Sequence, residues 1–248
     1  MDVTTAIVAG AAILIGTILQ RLSGTGVGLV VAPILTVLLG PVAGILVTNA
    51  TTVLSGVLLL LSMRRAIEWK RYLAFLPGII VGAVCAAFVV RAAPASWLQI
   101  LIGAIVLAAL ATTFGLPRMP IIRSKALGPV TGAIGAFFNT TAGVAAPVMV
   151  INAKLSGWNQ KAFAATMQPT FMTMGIVSVV TKLSLGASSI AELPPLWMFA
   201  PVVVIVLAGI VIGGLLSRRV SSRSARNTAI TLAAIGGAAA LIRGVMAL

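Results

Sequence analysis

The chain has 248 residues, 60% apolar and 8% charged, far from the roughly 45–50% and 25% of soluble domains. Its 17 Lys and Arg against 3 Asp and Glu give a net charge of +14. Repeated apolar runs of spanning length make this an all-α polytopic membrane protein and leave no room for a soluble domain. The basic residues lie mostly in short loops between those runs, and aromatics are few. The charge therefore reads as a topology signal, with the lipid bilayer and not nucleic acid as the partner.

Apolar segments are predicted at 3–22, 26–40, 42–63, 73–91, 97–115, 126–139, 142–153, 162–183, 195–217 and 227–247. They make one transporter domain of ten segments, five in each half, with the first half at about 1–118 and the second at about 122–248. Segment 3–22 has Asp2 where a signal peptide carries basic residues, and similar segments follow it, so it is read as part of the fold. Segments 26–40 and 142–153 are short, covering roughly 22 and 18 Å at 1.5 Å per residue. Each is either a re-entrant piece or a short span. The single Cys85 lies in an apolar stretch, excludes a disulfide framework and reads as packing.

Two motifs interrupt the apolar runs at matching places. Ser23-Gly24-Thr25-Gly26-Val27-Gly28 leads to Pro33, and Asn139-Thr140-Thr141-Ala142-Gly143 leads to Pro147. Three glycines at alternate positions weaken a helix by roughly 1 kcal/mol each and free backbone N–H groups that lipid cannot satisfy. Gly- or Pro-interrupted short segments in corresponding positions of two halves are the sequence pointer to a transporter's substrate site. The short helix after each break offers its unpaired N–H groups and positive dipole end to an anion. Ser23, Gly24, Thr25 and Gly26 in the first half, with Asn139, Thr140, Thr141 and Gly143 at the start of the second short helix, are the candidate ligands. Small residues that only tighten a helix crossing are the competing explanation.

Further matches run in the same order through both halves. Thr48-Asn49-Ala50-Thr51-Thr52 corresponds to Ala165-Thr166-Met167-Gln168-Pro169, and Phe75-Leu76-Pro77-Gly78 to Phe199-Ala200-Pro201-Val202. Asn49, Thr51 and Gln168 are candidate cavity-lining residues; interhelical hydrogen bonds are the plainer role for them. Trp69, Trp97, Trp158 and Trp197 lie near segment ends, where an aromatic belt explains them.

Charge sets the expected orientation. Arg64, Arg65, Lys70, Arg71, Arg118, Arg123, Lys125, Lys154, Lys161, Arg218, Arg219, Arg223 and Arg226 fall in loops assigned to the cytoplasm, with both termini outside. Arg91, Lys182 and Arg243 are left at segment edges on the outer side. The strongly basic loop at 64–71 has its counterpart near 183–194, which holds Glu192. Equivalent loops on opposite sides make the repeat inverted. Arg21 has two placements. It lies at the interface if 3–22 spans fully, or near the midplane, as a functional residue, if 3–22 and 26–40 form a re-entrant hairpin.

A Gly-rich break leading into a short, Pro-containing helix, duplicated in the second half, resembles the sulfite exporter TauE/SafE family, also called the toluene-sulfonate uptake permeases. The resemblance covers essentially the whole chain. This sequence has Gly24-Thr25-Gly26-Val27-Gly28 and Asn139-Thr140-Thr141-Ala142-Gly143 where the family usually has a run of three glycines. The resemblance implies a bacterial inner-membrane permease for sulfur-containing anions such as sulfite, sulfonates, sulfoacetate, thiosulfate or sulfate.

The residue inventory separates the rivals. There is no His, and the only acids are Asp2, Glu68 and Glu192, all outside the apolar segments. An intramembrane enzyme would lack a general base and a metal shell, and a carboxylate or imidazole proton relay is excluded. No cofactor is implied. The reading is export of a small oxyanion or sulfonate bound between helix N-termini of inverted repeats. Uptake of sulfate, thiosulfate or another small anion is the alternative, and a non-transporting scaffold is the remaining one.

Overall fold

The computed structural model describes residues 3–24, 27–115, 120–122, 124–189 and 199–248. Thr25 and Gly26 of the first break, with Arg118, Arg123, Glu192 and Trp197, lie outside the described residues. Among the described residues the chain forms ten α-helices. They are α1 (Val3–Ser23), α2 (Val27–Leu39), α3 (Pro41–Met63), α4 (Trp69–Ala92), α5 (Ala95–Gly115), α6 (Leu127–Ala142), α7 (Ala146–Leu155), α8 (Gln160–Ser184), α9 (Phe199–Leu216) and α10 (Ser222–Met246). Five of the described helices are long and apolar enough to cross a membrane. The ten expected segments correspond one to one with these helices.

Helix boundaries follow from local chemistry. Asn159 Oδ1 accepts from the backbone N–H groups of Lys161 and Ala162 and starts α8, and Ser221 Oγ does the same for α10 through Ser224. Pro41 and Pro147 sit in the first turns of α3 and α7, where the missing N–H costs nothing. Gly143, in the left-handed region at φ 69°, closes α6; its N–H bonds to Asn139 O, and Val144 N–H reaches Phe138 O. The second break therefore comes at 143–145. Asn139, Thr140 and Thr141 belong to the last turn of α6, not to the start of the short helix α7 as expected, because glycine alone accepts the cap conformation cheaply.

Helices α3 and α8 form a central antiparallel pair. Gly56 lies against Met172 and Gln168, and Gly175 against the Asn49 carbonyl, so a side chain at either glycine would force the two helices apart. Around them, α4 lies on α6, α1 on α9 and α5 on α10. The α4–α6 contact uses Gly78 and Gly82 against Gly128 and Gly132: a Cβ on Gly78 would strike the Pro129 carbonyl oxygen, and one on Gly82 the Ala133 carbonyl oxygen. In the α1–α9 contact Gly209 and Gly213 lie against Thr17 and Arg21. Small residues four apart let helix backbones approach where no hydrophobic force drives them together. Large apolar side chains such as Leu73, Ile80, Phe88, Val204, Val211 and Ile235 remain exposed around the outside, as lipid contact requires. Cys85 is exposed on α4 among them and is not a packing residue.

Among the described residues, Arg21, Arg64, Arg65 and Lys161 line one recess and Lys70, Arg71 and Lys125 the next, at one end of the bundle. Arg71 pairs with Glu68 at 2.7 Å, donates to Ser156 Oγ and lies 4.5 Å over the Trp158 ring; Trp158 Nε1 donates to Glu68 Oε1. Trp158 is buried between Phe75 and Phe163, so it ties loops together and is no part of an aromatic belt. At the opposite end Arg91 donates to the Leu185 carbonyl. Lys182, expected at a segment edge, is fully buried one turn beyond Ser178.

Candidate functional site

Gly28, at the end of the first motif, and Gly143, at the end of the second, touch inside the bundle. A Cβ on Gly28, in the first turn of α2, would collide with the carbonyl oxygen of Gly143, and one on Gly143 would lie 2.6 Å from Ala32 Cβ. Gly24, at φ 79°, ends α1 as Gly143 ends α6, with its N–H bonded to Gln20 O. It packs on Ala164 of α8, four residues before Gln168. Gly143 packs near Ile45 of α3, four residues before Asn49.

Two carboxamide pairs flank the contact. Gln20 Nε2 donates to Gln168 Oε1 at 2.8 Å, and Asn139 Nδ2 donates to Asn49 Oδ1 at 3.0 Å. Gln20 precedes Gly24 by four residues and Asn139 precedes Gly143 by four, so each break presents an amide one turn before its left-handed glycine. Each amide crosses to the opposite half of the chain. The pairs are extended by two hydroxyls and a backbone carbonyl: Ser55 Oγ donates to Gln20 Oε1, Gln168 Nε2 to the Ala164 carbonyl, and Asn49 Nδ2 to Ser178 Oγ. On α8, Gln168 and Ser178 are ten residues apart, about 15 Å along the axis, so the two clusters occupy different depths.

Between them lies a cavity of about 20 Å³, lined by Gln20, Gly28, Thr52, Asn139, Gly143 and Ala146 among others. It has room for about one water. No lining residue is charged. Gln20 is 1% exposed and Asn139 3%. Burying amides in a low-dielectric interior is costly unless they are paired, which explains the chains of bonds on either side.

Of the expected site residues, Gly24, Asn49, Asn139, Gly143 and Gln168 meet in or beside this arrangement. Thr25 and Gly26 lie outside the described residues. Three hydroxyls are turned back onto their own helices: Ser23 to Leu19 O, Thr51 to Val47 O and Thr141 to Phe137 O. Thr140 Oγ1 is buried without a hydrogen-bond partner among the described residues. Arg21 is not at the cavity. It lines a recess of about 500 Å³ at the basic end with Arg64, Arg65 and Lys161. Helix α1, at 21 residues, is long enough to carry it there. Gln20, Ser55 and Ser178 escaped the sequence reading. The spacing of four to Gly24 was the available signal for Gln20.

The family model for the sulfite exporter TauE/SafE matches residues 8–240. This chain belongs to that family. The membership fits the apolar helices and makes the chain a multi-pass membrane transporter protein of a kind that handles sulfur-containing anions. No curated protein and no solved structure matches it.

Proposed function

We propose that this TauE/SafE member is an inner-membrane permease that exports a small sulfur-containing oxyanion or sulfonate through the point where its two breaks meet. The observation that carries the proposal is the small, uncharged cavity between Gly28 and Gly143 with a carboxamide on each side. Amide N–H donors and the start of α7 suit an oxyanion, while the absence of carboxylates from the lining removes the repulsion an anion would meet. Six of the residues first proposed as ligands fall into two groups. Gly24, Asn49, Asn139, Gly143 and Gln168 shape the central site, and Arg21, with Arg64, Arg65 and Lys161, forms a basic vestibule that raises the local anion concentration.

The halves 1–118 and 122–248 are inverted repeats in this proposal. The matched pairings of α4 with α6 and of α9 with α1 support it, as do the two left-handed glycines and their amides. The basic end faces the cytoplasm and both termini lie outside. An interior-negative potential then drives an anion outward with roughly 2.3 kcal/mol per charge per 100 mV. Proteoliposomes loaded in turn with sulfite, thiosulfate, sulfate and methanesulfonate, under an imposed potential, test this. At least one of these anions should leave faster when the potential repels it. Efflux indifferent to the sign of the potential would remove the uniport mechanism, and no efflux of any of them would remove the substrate class.

A further inference from the structure

The two carboxamide pairs stand at different depths on either side of one cavity, and each joins a break of one half to the central helix of the other half. We propose that they are the two gates of the transport cycle. The pair Gln20–Gln168 closes the path toward the basic end, and Asn139–Asn49 closes it toward the opposite end. Gln168 lies two turns from the α8 N-terminus, which is joined to the basic loops through Asn159 and Trp158. Ser178, bonded to Asn49, lies two turns from the α8 C-terminus. Both pairs are closed in this structure, and the cavity between them holds no more than about one water. Admitting an anion from either end therefore requires one pair to part. An amide released from its partner presents an N–H donor toward the cavity, and an oxyanion can take over that bond.

The inference deepens the anion-permease reading and rests on it for the nature of the cargo, but the gates can be tested without any anion. Thr52 lines the cavity, so Thr52→Cys in a Cys85→Ala background reports access to it. A membrane-impermeant maleimide is applied to sealed vesicles of either orientation, with Arg65→Cys marking the basic face. The parent should label slowly from both faces. Gln20→Ala, which loses two buried hydrogen bonds, should raise labelling of Thr52→Cys from the basic face alone by roughly tenfold, and Asn139→Ala, which loses one, from the other face alone by roughly threefold. Ser55→Ala and Ser178→Ala remove only the supporting hydroxyls and should give the same two polarities with smaller size, which covers failure of the amide variants to fold. If Gln20→Ala and Asn139→Ala raised labelling from the same face, or both equally from both faces, the residues would be structural and the gate assignment wrong. A separate arm adds methanesulfonate. Protection of Thr52→Cys supports the anion site, and sided labelling without protection would keep the gates while refuting the cargo.

Discussion

The two carboxamide clusters use the same geometry but are not equally tied. At the basic end the bonds run from Ser55 to Gln20, from Gln20 to Gln168 and from Gln168 to the Ala164 carbonyl, ending on backbone that cannot move without unwinding α8. At the other end they run from Asn139 to Asn49 and from Asn49 to Ser178, ending on a hydroxyl that can rotate. Each interhelical bond in a membrane is worth about 0.6 kcal/mol on average. The longer chain with the backbone anchor is the firmer one. If the two clusters act as the proposed gates, the weaker one, at the end away from the basic loops, should be the readier to open.

The strongest way to break the comparison is to separate the two breaks themselves. Gly143→Val places a branched side chain where Ala32 Cβ leaves no space and where φ is 69°, so anion flux should fall to background while the protein still reaches the membrane. Flux assay and membrane-fraction immunoblot check the two parts. Next come the amides. Gln20→Leu should lower flux about tenfold and Asn139→Leu about threefold, in proportion to the bonds each leaves unmade; equal losses would erase the proposed asymmetry. A smaller effect is expected in the vestibule. Arg21→Gln should slow anion capture about twofold to fourfold at low ionic strength, and the deficit should disappear in high salt because exposed charges are screened there. The smallest change belongs to Thr140, whose buried hydroxyl has no hydrogen-bond partner among the described residues. Thr140→Val should leave thermal stability unchanged or raise it by about 1 kcal/mol, as read by a thermal-shift assay, and a drop would reveal a partner.

Much of the frame was legible in the sequence, because apolar runs and glycine breaks are local signals. The left-handed glycines that end α1 and α6, Gly24 and Gly143, fall within the two motifs, and Asn49 and Gln168 could be picked as polar residues at corresponding places. The sequence offered no way to see which amide bonds which. Gln20 and Gln168 are 148 positions apart, and their meeting depends on Gly24 lying against Ala164. Asn139 is expected at the start of the short helix, yet α6 runs about one turn past it, because the helix does not stop at the first polar residue; it stops where glycine can take a positive φ. Arg21 was undecidable because its depth turns on where α1 ends, a matter of two or three residues. Trp158 fits an aromatic belt by position alone, yet Glu68, Arg71 and Phe75 from a distant segment, with the nearby Phe163, converge on it.

The central claim is that an anion passes where Gly28 meets Gly143. The measurement that tests it most directly is potential-driven sulfite efflux from proteoliposomes carrying the parent protein or Gly28→Val, prepared side by side at equal protein density. The account predicts efflux from the parent that rises with the repelling potential, and none above empty liposomes from Gly28→Val. Equal efflux from both proteins would place the path elsewhere in the molecule.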